Sequence, residues 1–268
     1  TLDLRGCILS LHTRLADASI DATAQRLATC GAAQGAALLK LAVVTHDLTE
    51  LAQGDAWAAA APASRAYVPR TPDAQPVPRY AWYRLLSARR HAPLSYFREG
   101  DGTSPDQPTL CALLTAALVA PTPPPHFAAV LGDPVAHSHS PVTHADFFAA
   151  RATPFVALPC TVADIQRGAL SHLARLGLRY AAVTAPLKRD VAATVATEQP
   201  TVNTLYHSIS AHRWAATNTD LEGLRALVQP LLTASPDSIR PRVAIWGGGG
   251  TLPTLRSVLP WAQPFSAR

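Results

Sequence analysis

Along the chain, short apolar runs alternate with stretches in which apolar residues recur every three or four positions. "CILSLH" (7–12) and "ALLKLAVV" (37–44) are apolar-rich and bounded by polar residues, so each predicts a buried strand. Between them "DATAQRLATCGAA" (21–33) has helical spacing, and a second helix is expected from about Thr49 to Ala61. "HAPLSYF" (91–97) predicts a third strand and "PTLCALLTAALV" (108–119) a closing helix. The proline cluster of "VAPTPPPHF" (119–127) stiffens the backbone and removes amide donors, so no helix or central strand passes through it.

Beyond that boundary the alternation resumes. "FAAVLG" (127–132) predicts a strand, and "SPVTHADFFAA" (140–150) a helix with serine as its N-cap. "PFVALPC", "VADIQRGALSHLARLG" and "YAAVT" then predict strand, helix and strand. A second break, "LLTASPDSIRPR" (231–242), precedes "VAIWGGGGTLPTLRSVL", which reads as strand, glycine turn and helix. Strand–helix alternation of this kind implies parallel sheets covered by helices.

Composition narrows the classes. The 268 residues suffice for two domains with their own cores. With 48% apolar and 15% charged residues, the composition is globular and not disordered. The net charge is +5, but the arginines are scattered, which suits anionic small molecules at least as well as nucleic acid. No zinc-finger or basic-helix pattern appears, so no nucleic-acid partner is expected. Cys7, Cys30, Cys111 and Cys160 lie far apart without CxxC spacing, as expected of reduced thiols in a cytoplasmic protein with no metal site. No apolar run approaches the roughly 18 residues of a membrane helix, and no signal peptide is read at the start. The sequence has no methionine, so it is expected to begin inside a longer protein or to lack residues.

Of the 23 basic residues only Lys40 and Lys188 are lysine. Where arginine is written nearly everywhere, a lysine persists by chance or because chemistry forbids the exchange. An ammonium can release its proton or act as a nucleophile, and a guanidinium cannot. The neighbours of Lys188 decide between these. In "LGDPVAHSHSP" (131–141), Ser138 and Ser140 precede a helix, as a cap and a loop serine or as donors to a polyol acid. "VTAPLK" sets Thr184 four before Lys188, while "TVNTL" (201–205) and "AATNTDLEGL" (215–224) each carry Asn-Thr, the second followed by Asp220.

Taken in order, Gly132, Pro134, His137, Ser138, Ser140, Pro141 and His144, then Val183, Thr184, Pro186 and Lys188, then Asn203 and Thr204, then Asn218, Thr219, Asp220 and Gly223 resemble the signature of the shikimate dehydrogenase family. The resemblance covers about residues 127–268, with Ala182 where the family has asparagine. It implies that Lys188 and Asp220 pair beside the substrate hydroxyl and supply the proton that a developing alkoxide needs. It further implies that Ser138, Ser140, Thr184 and Asn203 hold the ring acid, and that His137 and His139 are structural. Gly247, Gly249 and Gly250 match the family's GxGG turn for a dinucleotide. The absence of an acid about 20 residues further on, and the presence of Arg268, lean toward NADP.

Lys40 lies in "LLKLAVV" on a strand expected to be buried, so either its stem runs to an edge or burial favours its neutral form. "LSLH" ends in His12, "WYRLL" offers Arg84, and "GTSPDQP" offers Thr103 and Gln107. These resemble the C-terminal half of type I 3-dehydroquinate dehydratase, a (β/α)8 barrel. The resemblance implies that Lys40 forms a Schiff base, that His12 shuttles the proton, and that Arg84 and Gln107 bind the substrate carboxylate and hydroxyls. Tyr83 for serine and Asp106 for glycine are departures expected to loosen the substrate loop. The two activities are consecutive in the shikimate route and are fused in this order in bifunctional enzymes.

The expected fold is α/β. A dehydratase-like (β/α) barrel portion spans 1–120, a shikimate-dehydrogenase-like α/β substrate domain 127–230, and the start of a Rossmann NADP domain 240–268. The expected activity is NADPH-dependent reduction of 3-dehydroshikimate to shikimate, with a fused half that makes 3-dehydroshikimate from 3-dehydroquinate. The expected partners are these small molecules, with neither nucleic acid nor membrane. The alternative is a non-catalytic ligand sensor built from the same domains; the intact Lys188/Asp220 and His12/Lys40 pairs favour catalysis.

Overall fold

Three parallel strands, β1 (Ile8–Thr13), β2 (Leu38–Val44) and β3 (Arg65–Arg70), form the first sheet in that order. The structure is a computed structural model that describes residues 6–13, 19–73, 77–115, 126–135, 138–233, 242–247 and 249–265. Helices α1 (Ile20–Gln34) and α2 (Leu48–Ala59) make the crossovers that parallel pairing requires. Their starts are fixed locally, because the Ser19 and Asp47 side chains accept amide hydrogens of the first turns.

Register then decides what faces where. Lys40 lies between Ser10 and Ala66, and Ala42 lies between His12 and Val68. Successive strand residues point to opposite faces, so His12, Lys40, Val68 and Arg70 share one face. Leu41, Val43 and Tyr67 take the other and are buried in the core.

Strand β3 is not among the expected elements, because Pro69 interrupts its apolar run. Its place at the edge of the sheet is where a strand tolerates proline. Conversely, the strand expected over 91–97 does not form. Arg98 N–H donates to Pro108 O at 3.0 Å and Leu110 N–H to Arg98 O at 3.0 Å, so this segment pairs with a loop through one isolated bridge. Helices α3 (Ala81–Arg89) and α4 (Leu110–Thr115) flank it. The expected barrel portion is therefore an open three-stranded sheet, and no barrel closes among the described residues.

The second sheet contains β4 (Phe127–Gly132), β5 (Phe155–Pro159), β6 (Leu178–Val183), β7 (Thr204–Ser208) and β8 (Arg213–Thr217). Its order is β5-β4-β6-β7-β8, parallel for the first three and antiparallel through the last two pairs. Every residue of β4 is buried, which is why its run is apolar without alternation. Around it lie α5 (Ser140–Thr143), α6 (Ala145–Ala149), α7 (Val162–Gln166), α8 (Ala169–Arg175), α9 (Lys188–Thr194) and α10 (Thr219–Thr233). The single helix expected over "VADIQRGALSHLARLG" is two, broken at Gly168 with φ +85°. The helix over 140–150 is likewise two, and Ser140 is its first residue and not its cap.

A third unit follows: β9 (Ala244–Trp246), a glycine turn, α11 (Leu252–Val258) and β10 (Gln263–Phe265), with β9 and β10 parallel. The strand, turn and helix were legible; β10 was not. Most of the proline-rich boundary and of the 231–242 break lies outside the described residues.

The first two sheets share one core. Trp82 of α3 stacks on Phe127 of β4 with ring centroids 5.9 Å apart, and Tyr67, Leu85 and Leu173 belong to the same buried cluster. An ion pair lies across the junction. Arg79 Nη2 donates to Asp164 Oδ2 at 2.6 Å, with side-chain exposures of 11% and 2%. Asp164 Oδ2 also accepts the Thr161 amide and hydroxyl hydrogens at 2.8 and 2.7 Å, so three donors meet on that one oxygen. Removing one partner strands the other charge in a desolvated site. Arg79→Met is expected to lower unfolding free energy by about 3 kcal/mol in urea titration; an unchanged midpoint would show that the pair does not join the sheets.

Candidate active sites

Lys188 stands at the start of α9, in the turn that leaves β6. At the end of the neighbouring strand, a Cβ on Gly132 would lie 2.4 Å from Thr184 Cγ2, so only glycine lets the two strand ends close here. Lys188 Nζ donates to Asp220 Oδ2 at 2.6 Å, and the side chains are 14% and 32% exposed. Asn203 Nδ2 donates to Asp220 Oδ1 at 2.8 Å and to Thr219 Oγ1 at 2.9 Å. The Asp220 amide donates to Asn218 Oδ1 at 3.0 Å. Asn218 Nδ2 in turn donates to Thr201 O, Thr201 Oγ1 and Thr254 Oγ1 at 3.1, 3.0 and 2.9 Å. The carboxylate is thus held on both oxygens, and a buried amide network fixes its backbone.

The glycine turn reaches the same place. A Cβ on Gly250 would lie 3.5 Å from Lys188 Cβ, and Gly247 and Gly249 have φ of +102° and +59°. Thr254 ties α11 to Thr201 and Asn218, a link the sequence did not reveal. Ser138 Oγ accepts the Ser140 amide hydrogen at 3.3 Å, and no hydrogen bond among the described residues joins either serine to Lys188. The His139 side chain does not cap α5, but its backbone carbonyl accepts the Thr143 hydroxyl at 2.6 Å. His137, Gly248 and Arg268 lie outside the described residues.

The other lysine lies in a cavity of about 330 Å³ on the first sheet, lined by His12, Lys40, Ala42, Val68, Arg70, Arg84, Tyr96, Thr103, Ser104 and Gln107. Lys40 Nζ is 3.2 Å from His12 Nε2 and 4.6 Å from the centroid of the Tyr96 ring. Burial first, then the charges of Lys40 and Arg70, lower the pKa of His12. A neutral imidazole can accept a hydrogen bond from the ammonium and remains available as a base. Arg84 and Gln107, expected to bind the substrate, also line the cavity, but both are engaged by backbone carbonyls. Arg84 Nε and Nη2 donate to Pro69 O at 3.1 and 2.8 Å, and Gln107 Nε2 donates to Phe97 O at 2.8 Å.

Asp106 overturns an expectation. It does not loosen its loop but is fully buried and ties it down. Its Oδ2 accepts the Thr71 amide at 2.5 Å, and its Oδ1 accepts the Thr71 hydroxyl at 2.6 Å and the Tyr80 amide at 2.8 Å. Tyr83 is buried in the core and donates to Asp55 Oδ1 at 2.8 Å, away from that loop. Arg70, Tyr96 and Ser104 were missed. Arg70 ends the strand that Pro69 concealed, and only the strand register would have put it beside Lys40.

Residues 130–206 match the family model described as the shikimate dehydrogenase substrate binding domain. That stretch is similar to the substrate binding domain of shikimate dehydrogenases. The shikimate dehydrogenase (NADP(+)) of a Synechococcus strain is 38% identical over 110 residues, covering 38% of this chain and 37% of that protein. That of a Synechocystis strain is 36% identical over 129 residues, covering 45% and 42%. The chain spans less than half the length of the curated relatives it matches. Among solved structures, a shikimate dehydrogenase from Thermus thermophilus in complex with shikimate is 24% identical, with TM-score 0.40, over 53% of this chain and 55% of that one. The dehydroquinate dehydratase and shikimate dehydrogenase from S. pombe is 18% identical, with TM-score 0.35, over 97% and 51%. Among the described residues, no cluster of three or more His, Cys, Asp or Glu is arranged to hold a metal. No helix there is long and apolar enough to cross a membrane.

Cutting the Asp106 tie leaves two backbone donors unpaired in a buried site. Asp106→Ala is expected to cost about 3 kcal/mol of stability, read by chemical denaturation; a cost near zero would mean that the loop is held by other contacts.

Proposed function

We propose that the second half of the chain interconverts shikimate and 3-dehydroshikimate with NADP(H), through Lys188 and Asp220. The observation that carries this reading is the 2.6 Å contact between Lys188 Nζ and Asp220 Oδ2 beside the glycine turn. The turn fits a dinucleotide diphosphate, because Gly247 and Gly249 hold positive φ and the space their Cβ atoms would fill is open. Gly247, Gly249 and Gly250 would hold the dinucleotide, with Arg268 toward the extra phosphate. When bound, the dinucleotide supplies or accepts the hydride.

The protein's own residues manage the proton. Lys188 donates a proton to the ketone oxygen as it becomes an alcohol and takes it back in the reverse direction. Asp220 orients the ammonium and balances its charge; Asn203 fixes Asp220. Thr184, with Ser138 and Ser140 across the strand ends, binds the ring acid. The relatives named for NADP(+)-dependent shikimate dehydrogenation support this assignment. Lys188→Ala is expected to lower shikimate-dependent NADP+ reduction about a hundredfold or more, with shikimate binding by calorimetry changed far less. Unaltered turnover in that variant, or no shikimate binding by the native chain, would overturn the reading.

A second reading concerns the first half. We infer that Lys40 forms an imine with the ketone of 3-dehydroquinate, which the 3.2 Å approach of Lys40 Nζ to His12 Nε2 supports. His12 would take a proton from the carbon beside the imine and return it to the departing hydroxyl, so that water leaves and 3-dehydroshikimate is released on hydrolysis. Borohydride reduction in the presence of 3-dehydroquinate is expected to fix one ligand mass on Lys40 in the native chain and none in Lys40→Ala. No adduct on the native chain would refute it.

A further inference from the structure

We propose that Arg70, and not Arg84, is the carboxylate anchor of the Lys40 cavity. The proposal deepens the reading of Lys40 as an imine-forming residue and rests on it for the identity of the ligand as a ring keto acid.

Among the described residues, three cations, Lys40, Arg70 and Arg84, line the cavity, and no acidic side chain does. Lys40 faces His12 and is committed to any imine it forms. Arg84 is engaged by the protein itself: two of its N–H groups fix Pro69 O, and Asp106 lies close enough to favour its charge against burial. Its guanidinium braces the strand that carries Arg70.

Arg70 has no such engagement. Among the described residues its one ion-pair partner is Asp73, 4.0 Å away at the limit of contact, with side-chain exposures of 33% and 57%. A pair this open and this long contributes little. Parallel register puts Arg70 on the face of Lys40, four residues beyond the Ala66 that pairs with Lys40. At about 3.3 Å per residue the two Cα positions are separated by roughly 13 Å along the strands, and two long side chains reach toward each other across that gap. Arg70 lines the same cavity as His12 and Arg84, and its charge disfavours a further positive charge on either. A planar guanidinium whose only ion pair among the described residues is the 4.0 Å approach to Asp73, on the face that carries an amine, suits a six-membered ring bound by its two ends: carboxylate on Arg70, ketone at Lys40.

The test separates this proposal from the imine reading. Quinate, a ring carboxylate without a ketone, is titrated against the full chain while the His12 imidazole resonance is followed; its neutral amide is the control. In Arg70→Gln the apparent Kd for quinate is expected to rise about tenfold or more, with the amide control and the thermal midpoint unchanged. In Arg84→Gln the midpoint falls, while quinate binding below that midpoint stays within about threefold of native. Unchanged quinate binding in Arg70→Gln, or no response of His12 to quinate in the native chain, overturns the proposal. Arg70-dependent quinate binding without a borohydride adduct on Lys40 keeps the anchor and removes the imine. An adduct whose half-saturation is equal in native and Arg70→Gln chains does the reverse.

Discussion

Parallel pairing is the constraint on which both candidate sites depend. It forces a crossover after each strand, so β1, β2 and β3 run the same way and hold a common register. That register sets His12, Lys40 and Arg70 on one face although 58 residues of sequence separate the first from the last (70 − 12 = 58). In the second sheet the same direction brings the ends of β4 and β6 together, where Gly132 makes room for Thr184 and the chain turns into Lys188. Polar chemistry collects at such strand ends because the strand interiors are covered by helices and apolar neighbours.

How much of this was legible follows from how local each signal is. The runs that became β1, β2, β4, β5 and β6 were readable because they are apolar and bounded by polar residues. Lys40 and Lys188 stand out against 21 arginines (23 − 2 = 21) before any geometry is known. What failed was signal that depends on position in the sheet. Pro69 has the mark of a strand breaker, yet an edge strand accommodates it. "HAPLSYF" has the mark of a strand, yet its neighbours pair with the Pro108 and Leu110 backbone and leave it outside the sheet. Asp106 reads as damage to a glycine loop, although a buried carboxylate with three donors strengthens that loop. The donors come from Thr71 and Tyr80, 35 and 26 residues away, and no local pattern announces them.

The two lysines also show why similar residues in one chain invite different chemistry. Lys188 is matched to a carboxylate that is itself fixed by Asn203, so its ammonium is held in a set direction. Such a group is suited to passing a proton to an oxygen that gains charge. Lys40 has a different partner, a His12 imidazole whose pKa is pushed down by burial and by neighbouring cations. An amine facing an imidazole base is suited to attacking a carbonyl, with the base at hand for the proton transfers that follow. The difference lies in the partner and not in the lysine.

The shared core adds a consequence for how the two sites are held. Trp82 stacks on Phe127, and Arg79 reaches from the loop before α3 to the Asp164 cap of α7. Arg79 also donates to His46 O at 3.0 Å, next to the Asp47 cap of α2. One guanidinium therefore fixes the end of β2 in the first sheet to a helix of the second. The Tyr80 that follows it spans the loop tied by Asp106 and the end of β2, donating its hydroxyl to Thr45 O at 2.9 Å. Distortion at the junction is thus transmitted to the backbone that bears Lys40, and the first sheet does not hold its cavity independently of the second.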